Sequence, residues 1–100
     1  MAKLTTIFWR DIPAQVIGQQ GRKRIKQELD KRFAVAIDRA AMRAGRGSSK
    51  AYLEEWRRES RPCSGDIQQA VIDEVARLEA LFPQDLLETV VKAGGKAAGD

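Results

Sequence analysis

The stretch Thr6-Ile7-Phe8-Trp9-Arg10-Asp11-Ile12-Pro13-Ala14-Gln15-Val16-Ile17 decides the fold class. It sets a dense apolar and aromatic run against a second, β-branched run, with a charged, proline-bearing break between them. That order reads as an antiparallel β-hairpin with a four-residue connection. Along the first strand, Leu4 to Trp9, alternation places Thr5, Ile7 and Trp9 on one face and Leu4, Thr6 and Phe8 on the other. Both faces therefore carry bulk. Pro13 cannot donate to a ladder and belongs in the loop or at the first position of the second strand, about Ala14 to Gly18. Gln19-Gln20-Gly21 reads as a turn. Two strands alone are marginal in water, so the hairpin needs a cover of helices from downstream.

Between the hairpin and the first clear helix, Ile25 and Leu29 have helical spacing. Ile25, Gln27 and Leu29 also alternate with Arg24, Lys26 and Glu28, which favours a third extended piece. From Asp30, a plausible N-cap, Phe33, Ala36, Ile37, Ala40, Ala41 and Ala44 repeat as a buried helical stripe that ends at Gly45-Arg46-Gly47. Ser49 caps a short second helix with Tyr52, Leu53 and Trp56 on one face. Ser60 to Gly65 reads as a linker. Asp66 and Gln69 have capping-box spacing before a third helix with the stripe Ile67, Val71, Val75, Leu78 and Phe82. After Pro83, Leu86, Leu87, Val90 and Val91 form the apolar edge of a last helix, closed by Gly94-Gly95. The expected fold is thus α+β: an N-terminal antiparallel hairpin, with a third short strand as an option, packed on three to four helices. Residues 4–92 form a single domain between a loose start, 1–3, and a disordered tail, 93–100.

Composition narrows the chemistry. One hundred residues with 43% hydrophobic and 32% charged side chains suit one compact domain. The sequence has no His and one Cys, Cys63, so it cannot assemble a zinc site of the usual kind, a Ser-His-Asp triad or a Cys-His pair. No enzyme activity, metal or cofactor is expected. No apolar run is long enough to span a membrane, the start lacks a signal-peptide pattern, and the expected location is the cytoplasm. The net charge of +4 has an address. Arg22, Lys23, Arg24, Lys26, Lys31 and Arg32 stand against Glu28 and Asp30 within residues 22–32, which hold the whole excess. Such a patch attracts phosphates, nucleic acid or an acidic surface, or is simply a solvated face.

The runs Phe8-Trp9-Arg10-Asp11-Ile12-Pro13-Ala14-Gln15-Val16, Arg32-Phe33, Ala36-Ile37-Asp38-Arg39-Ala40-Ala41-Met42 and Ala51-Tyr52-Leu53-Glu54-Glu55-Trp56-Arg57 resemble the small bacterial family of "virulence factor" domains, over roughly residues 4–83. The resemblance implies a module that is similar to the C-terminal domain of a conserved virulence protein and also occurs alone. Stand-alone members of that family accompany enzymes of folate and corrinoid one-carbon metabolism. The resemblance supplies no catalytic residues. Its most specific part is Trp9-Arg10-Asp11-Ile12-Pro13 with Trp56-Arg57.

Two functions follow as expectations. In the first, Trp9, Arg10, Asp11, Trp56 and Arg57 dock an accessory module on a larger protein, since Trp and Arg together are the typical hot-spot pair. The plainer reading makes both tryptophans core anchors and lets Arg10 and Asp11 shape the turn. In the second, the chain from Arg22 has the order of a ribbon-helix-helix unit. Arg24, Lys26 and Glu28, or the residues alternating with them, would then face the bases of duplex DNA from a strand paired across a symmetric dimer.

Overall fold

The computed structural model describes residues 2–45 and 48–96. Its element order is β1 (Ala2–Trp9), β2 (Ile12–Gln20), β3 (Lys23–Glu28), α1 (Lys31–Arg43), α2 (Ser49–Glu54), β4 (Trp56–Cys63), α3 (Ile67–Leu81) and α4 (Gln84–Lys92). The four strands form one antiparallel sheet in the order β3-β2-β1-β4. The fold is α+β, with the N-terminal hairpin at the centre of the sheet.

The hairpin turn is tighter than the sequence suggests. Only Arg10 and Asp11 separate the strands, and Arg10 takes the left-handed φ of 55° that such turns usually give to glycine. Tertiary bonds hold it there. The Arg10 amide donates to the Glu55 carbonyl at 3.1 Å, Nε to Glu55 Oε1 at 3.1 Å and Nη1 to the Gly94 carbonyl at 3.0 Å. Just inside the turn the pairing steps from Ile7 opposite Gln15 to Phe8 opposite Pro13, leaving Ala14 without a partner on β1. The Ala14 carbonyl accepts the Leu29 amide at 3.1 Å instead, which ties the start of the α1 connection to this irregularity.

Beyond the hairpin, three expectations are corrected. β1 begins at Ala2, which is buried opposite Gln20 and Cys63, so Ala2 and Lys3 belong to the sheet ahead of Leu4. The segment read as the end of a second helix and a linker is β4. Its residues Trp-Arg-Arg-Glu-Ser-Arg-Pro-Cys carry almost no apolar alternation because β4 lies at the sheet edge, where charge and proline are tolerated. Ala93 to Gly95 belong to the fold: Gly94 and Gly95 are buried, and the Gly95 carbonyl accepts the Asp11 amide at 2.9 Å. Residues 97–100 of the expected tail lie outside the described residues, as do Arg46 and Gly47 of the expected stop Gly45-Arg46-Gly47.

The helices carry the stripes read from the sequence. Asp30 caps α1 by accepting the Arg32 amide, and Phe33, Ala36, Ile37, Ala40 and Ala41 are buried. Ser48, one residue before the expected cap, caps α2. In α3, Asp66 accepts the Gln68 amide, while Gln69 turns to Asp73, so the reciprocal bond of a capping box is not made. The α3 face Ile67, Val71, Val75 and Leu78 packs on the sheet around Gly18, with Leu4 directly beside it on β1. α4 lies along α1 and buries Leu87, Val90 and Val91.

The buried charged residue of the described interior is Glu74 on α3. Its side chain is 5% exposed and receives Arg61 Nη2 from β4 at 2.6 Å and Arg77 Nη2 at 2.6 Å. These arginine bonds hold the carboxyl below the usual carboxylate range, Arg77's contribution being the largest and outweighing the opposing push of burial.

Candidate functional site

The hairpin turn collects most of the residues singled out from the sequence. Trp9 has no exposed surface. Its indole N–H donates to the Tyr52 carbonyl at 2.9 Å, and its ring stacks on Tyr52 at a centroid distance of 5.9 Å. Alternation puts Trp9 on the same face as Thr5 and Ile7, yet it is buried because α2 and the Gly94-Gly95 turn close over that end of the face. Trp9 therefore acts within the core. Arg10 is anchored by Glu55 and Gly94, as described above, and sits 5.4 Å from the Trp9 ring centroid.

Arg57 joins the turn from β4. Its guanidinium lies 4.4 Å from the centroid of Phe8. Nε donates to the Arg10 carbonyl at 2.7 Å, Nη2 to Asp11 Oδ1 at 3.3 Å, and Nη1 to Glu59. Arg10, Asp11 and Arg57 are thus one network that braces a strained two-residue turn.

Trp56 is placed differently. It pairs with Trp9 across the strands, is half-buried, and meets Tyr52 edge-on at 5.7 Å. Three adjoining depressions share it. A groove of about 480 Å³ runs between α1 and the sheet, lined by Ala14, Gln15, Ile37, Asp38, Tyr52 and Trp56 among others. A cleft of about 300 Å³ is formed by Ile7, Gln15, Trp56, Arg57 and Arg58. A third, of about 420 Å³, includes Arg10, Asp11, Glu55 and Lys96. Burial, and then the charge of Asp38, push the Tyr52 phenol above its ordinary value, so at neutral pH it keeps its proton.

The basic segment is divided by the fold. Arg24 and Lys26 are exposed on β3, in register with Gln19 and Ile17 of β2. Lys23 and Arg22 are exposed at the β2–β3 turn, and Lys31 is exposed at the start of α1. Arg32 is turned inward: it donates to the Glu79 and Phe82 carbonyls and covers the Phe33 ring at 4.8 Å. The order expected of a ribbon-helix-helix unit is altered in two ways. β3 is already paired with β2 of its own chain, and α2 spans six residues before the chain returns to the sheet as β4.

Among the described residues no group of three His, Cys, Asp or Glu side chains could hold a metal ion, and no helix is long and apolar enough to cross a membrane. Sequence reasoning missed β4, and with it Arg58. No periodic signal marks this residue, whose place on the sheet follows only from the pairing with Ile7.

Fold and site together define a small α+β domain whose surface features are shallow, aromatic-edged depressions around a braced turn. The family model described as "Virulence factor" matches residues 7–91, and the chain belongs to that family. No curated protein and no solved structure matches the chain.

Proposed function

We propose that the chain is a non-enzymatic accessory module that docks on a larger protein through the surface around Trp56, in the virulence-related setting its family description names. The observation that carries this reading is Trp56 itself, a half-buried aromatic side chain shared by three adjoining depressions. Tryptophan in such a position supplies large contact area at small entropic cost, and arginines beside it are the usual companions of an interface anchor. Enzymes of folate and corrinoid one-carbon metabolism are the partner class that the family resemblance puts first. The braced turn of Arg10, Asp11 and Arg57 keeps the rim of this surface in one shape, which lowers the ordering cost of binding.

The test is quantitative affinity capture of the tagged full chain from its native host, comparing wild type with Trp56→Ala and Trp56→Leu. A protein partner recovered in stoichiometric amount, and depleted at least tenfold by Trp56→Ala, is the expected result. Trp56→Leu keeps an apolar contact with Tyr52 and guards against loss through unfolding. Equal recovery by the folded Leu variant and the wild type would remove Trp56 from the interface. Absence of any stoichiometric partner would end the docking reading.

A further inference from the structure

The sheet has two faces with different fates. Gly18 and Leu4 face α3, so the neighbouring positions in each strand point the other way. Reading across the strands, that second face has three rows: Arg24-Gln19-Lys3-Pro62, Lys26-Ile17-Thr5-Ser60 and Glu28-Gln15-Ile7-Arg58. Its far end, at Trp9, is closed by α2 and the Gly94-Gly95 turn, and α1 borders the third row across the groove at Gln15 and Glu28. In the first row all four residues are exposed, and in the others the outer residues are. At the centre, Ile17 and Thr5 are 7% exposed, yet Ile17 stands outside the main core cluster.

We infer that this face docks an acidic protein surface, with the partly exposed Ile7 beside the little-exposed Ile17 as a small apolar centre and Lys3, Arg24, Lys26 and Arg58 as the rim that meets its carboxylates. Among the described residues none of these four cations has a hydrogen bond or ion pair, although Glu59, Glu74 and Glu79 all engage arginines or backbone elsewhere. Glu28 is the one anion in the three rows. Four unpartnered cations around a small apolar centre favour a partner of opposite sign, attracted over the Debye length and oriented by it. The chemistry of the rows argues for protein over single-stranded nucleic acid. Binding of the latter without sequence preference uses successive aromatic platforms for stacking, whereas none of the twelve positions in the rows is aromatic and Trp56 is the single aromatic side chain in the adjoining cleft. The inference rests on the docking reading, and it extends the interface from Trp56 across the sheet through the shared cleft at Ile7, Gln15 and Arg58.

The experiment is zero-length carbodiimide coupling, which joins amines to carboxylates, applied to the full chain in native host lysate and mapped by mass spectrometry. Wild type is compared with the double variant Arg24→Glu, Arg58→Glu, which leaves the reporter amines of Lys3 and Lys26 in place. Coupling of Lys3 and Lys26 to Asp or Glu of one partner, reduced at least tenfold in the double variant, is the expected result. If the folded double variant captures and couples the partner as the wild type does, this face is not the interface and the docking reading stands. If the wild type captures no partner, both fall. A 20-nucleotide single-stranded RNA that binds the wild type with steep salt dependence, and not the double variant, would assign the face to nucleic acid and overturn the proposal.

Discussion

Gly18→Ala isolates the contact on which the sheet–helix packing depends. Gly18 does not have a positive φ, so backbone freedom is no reason for glycine there. Space is the reason: an added Cβ would stand 2.6 Å from Val71 Cγ2 and 2.9 Å from Ile67 Cγ1, and both side chains are 1% exposed. Neither can swing into solvent. Two effects oppose each other. Replacing a strand glycine by alanine gains about 0.5–1 kcal/mol of backbone entropy, whereas forcing a methyl group into a packed core costs about 1–3 kcal/mol. The steric term wins, and the net loss is about 1–2 kcal/mol. With a urea m-value of about 1.5 kcal/mol per molar, the midpoint of equilibrium unfolding falls by about 1 M. The mechanism has its own signature. Val71→Ala alone costs about 2 kcal/mol in lost burial and cavity, but it removes the nearer obstacle. In the double variant the two costs therefore add to less than their sum, by about 1 kcal/mol or more. A Gly18→Ala protein with an unchanged or raised midpoint, or strict additivity with Val71→Ala, would refute the close approach of α3 to the sheet.

Two further perturbations test the interior. Glu74 has a depressed folded pKa, so its contribution is fully present above the unfolded carboxylate value near ~4.3 and is lost as pH falls through the lower folded value. Glu74→Gln should flatten this acid limb and lower stability at pH 7 by about 1–2 kcal/mol, discounted because both arginines remain more than half exposed; denaturant titrations from pH 3 to 7 check it, and an unchanged acid limb contradicts it. Trp9→Phe removes the indole bond to the Tyr52 carbonyl and part of the ring packed against Gly95, and should cost about 1–3 kcal/mol; a midpoint shift equivalent to less than 0.5 kcal/mol, roughly the scatter of surface substitutions, would show that Trp9 does not anchor α2.

What the sequence made legible follows the physics of burial. α1 and α3 announce themselves because each buries one stripe, α3 against the sheet and α1 against α4 and β2, so their apolar residues keep helical spacing. The hairpin is legible from the dense runs on either side of its break, but its turn is not. A two-residue connection with positive φ normally advertises itself by Gly or Asn, and here Arg10 takes that place because Glu55 and Gly94, distant in sequence, hold it. Long-range bonds leave no local pattern. The same limit hid β4, an edge strand that spends its positions on charge.

The two tryptophans show how far a residue type can carry a functional expectation. Trp9 and Trp56 look alike in sequence, each followed by arginine, and they are cross-strand partners. Their difference arises from what closes over them. α2 and the Gly94-Gly95 turn seal Trp9, whereas Trp56 stands one strand further out, where no element follows β4 in the sheet. Position at a sheet edge, a property of topology rather than of any motif, makes one side chain a core anchor and leaves the other available to a partner. The basic segment follows the same rule. Its six cations all fall within residues 22–32, but strand alternation sends Arg24 and Lys26 to the open face, while Arg32 is drawn under by the Glu79 and Phe82 carbonyls. The charge gathered on one face is therefore set by register, and Lys3 and Arg58, far from residues 22–32 in sequence, join Arg24 and Lys26 on that face.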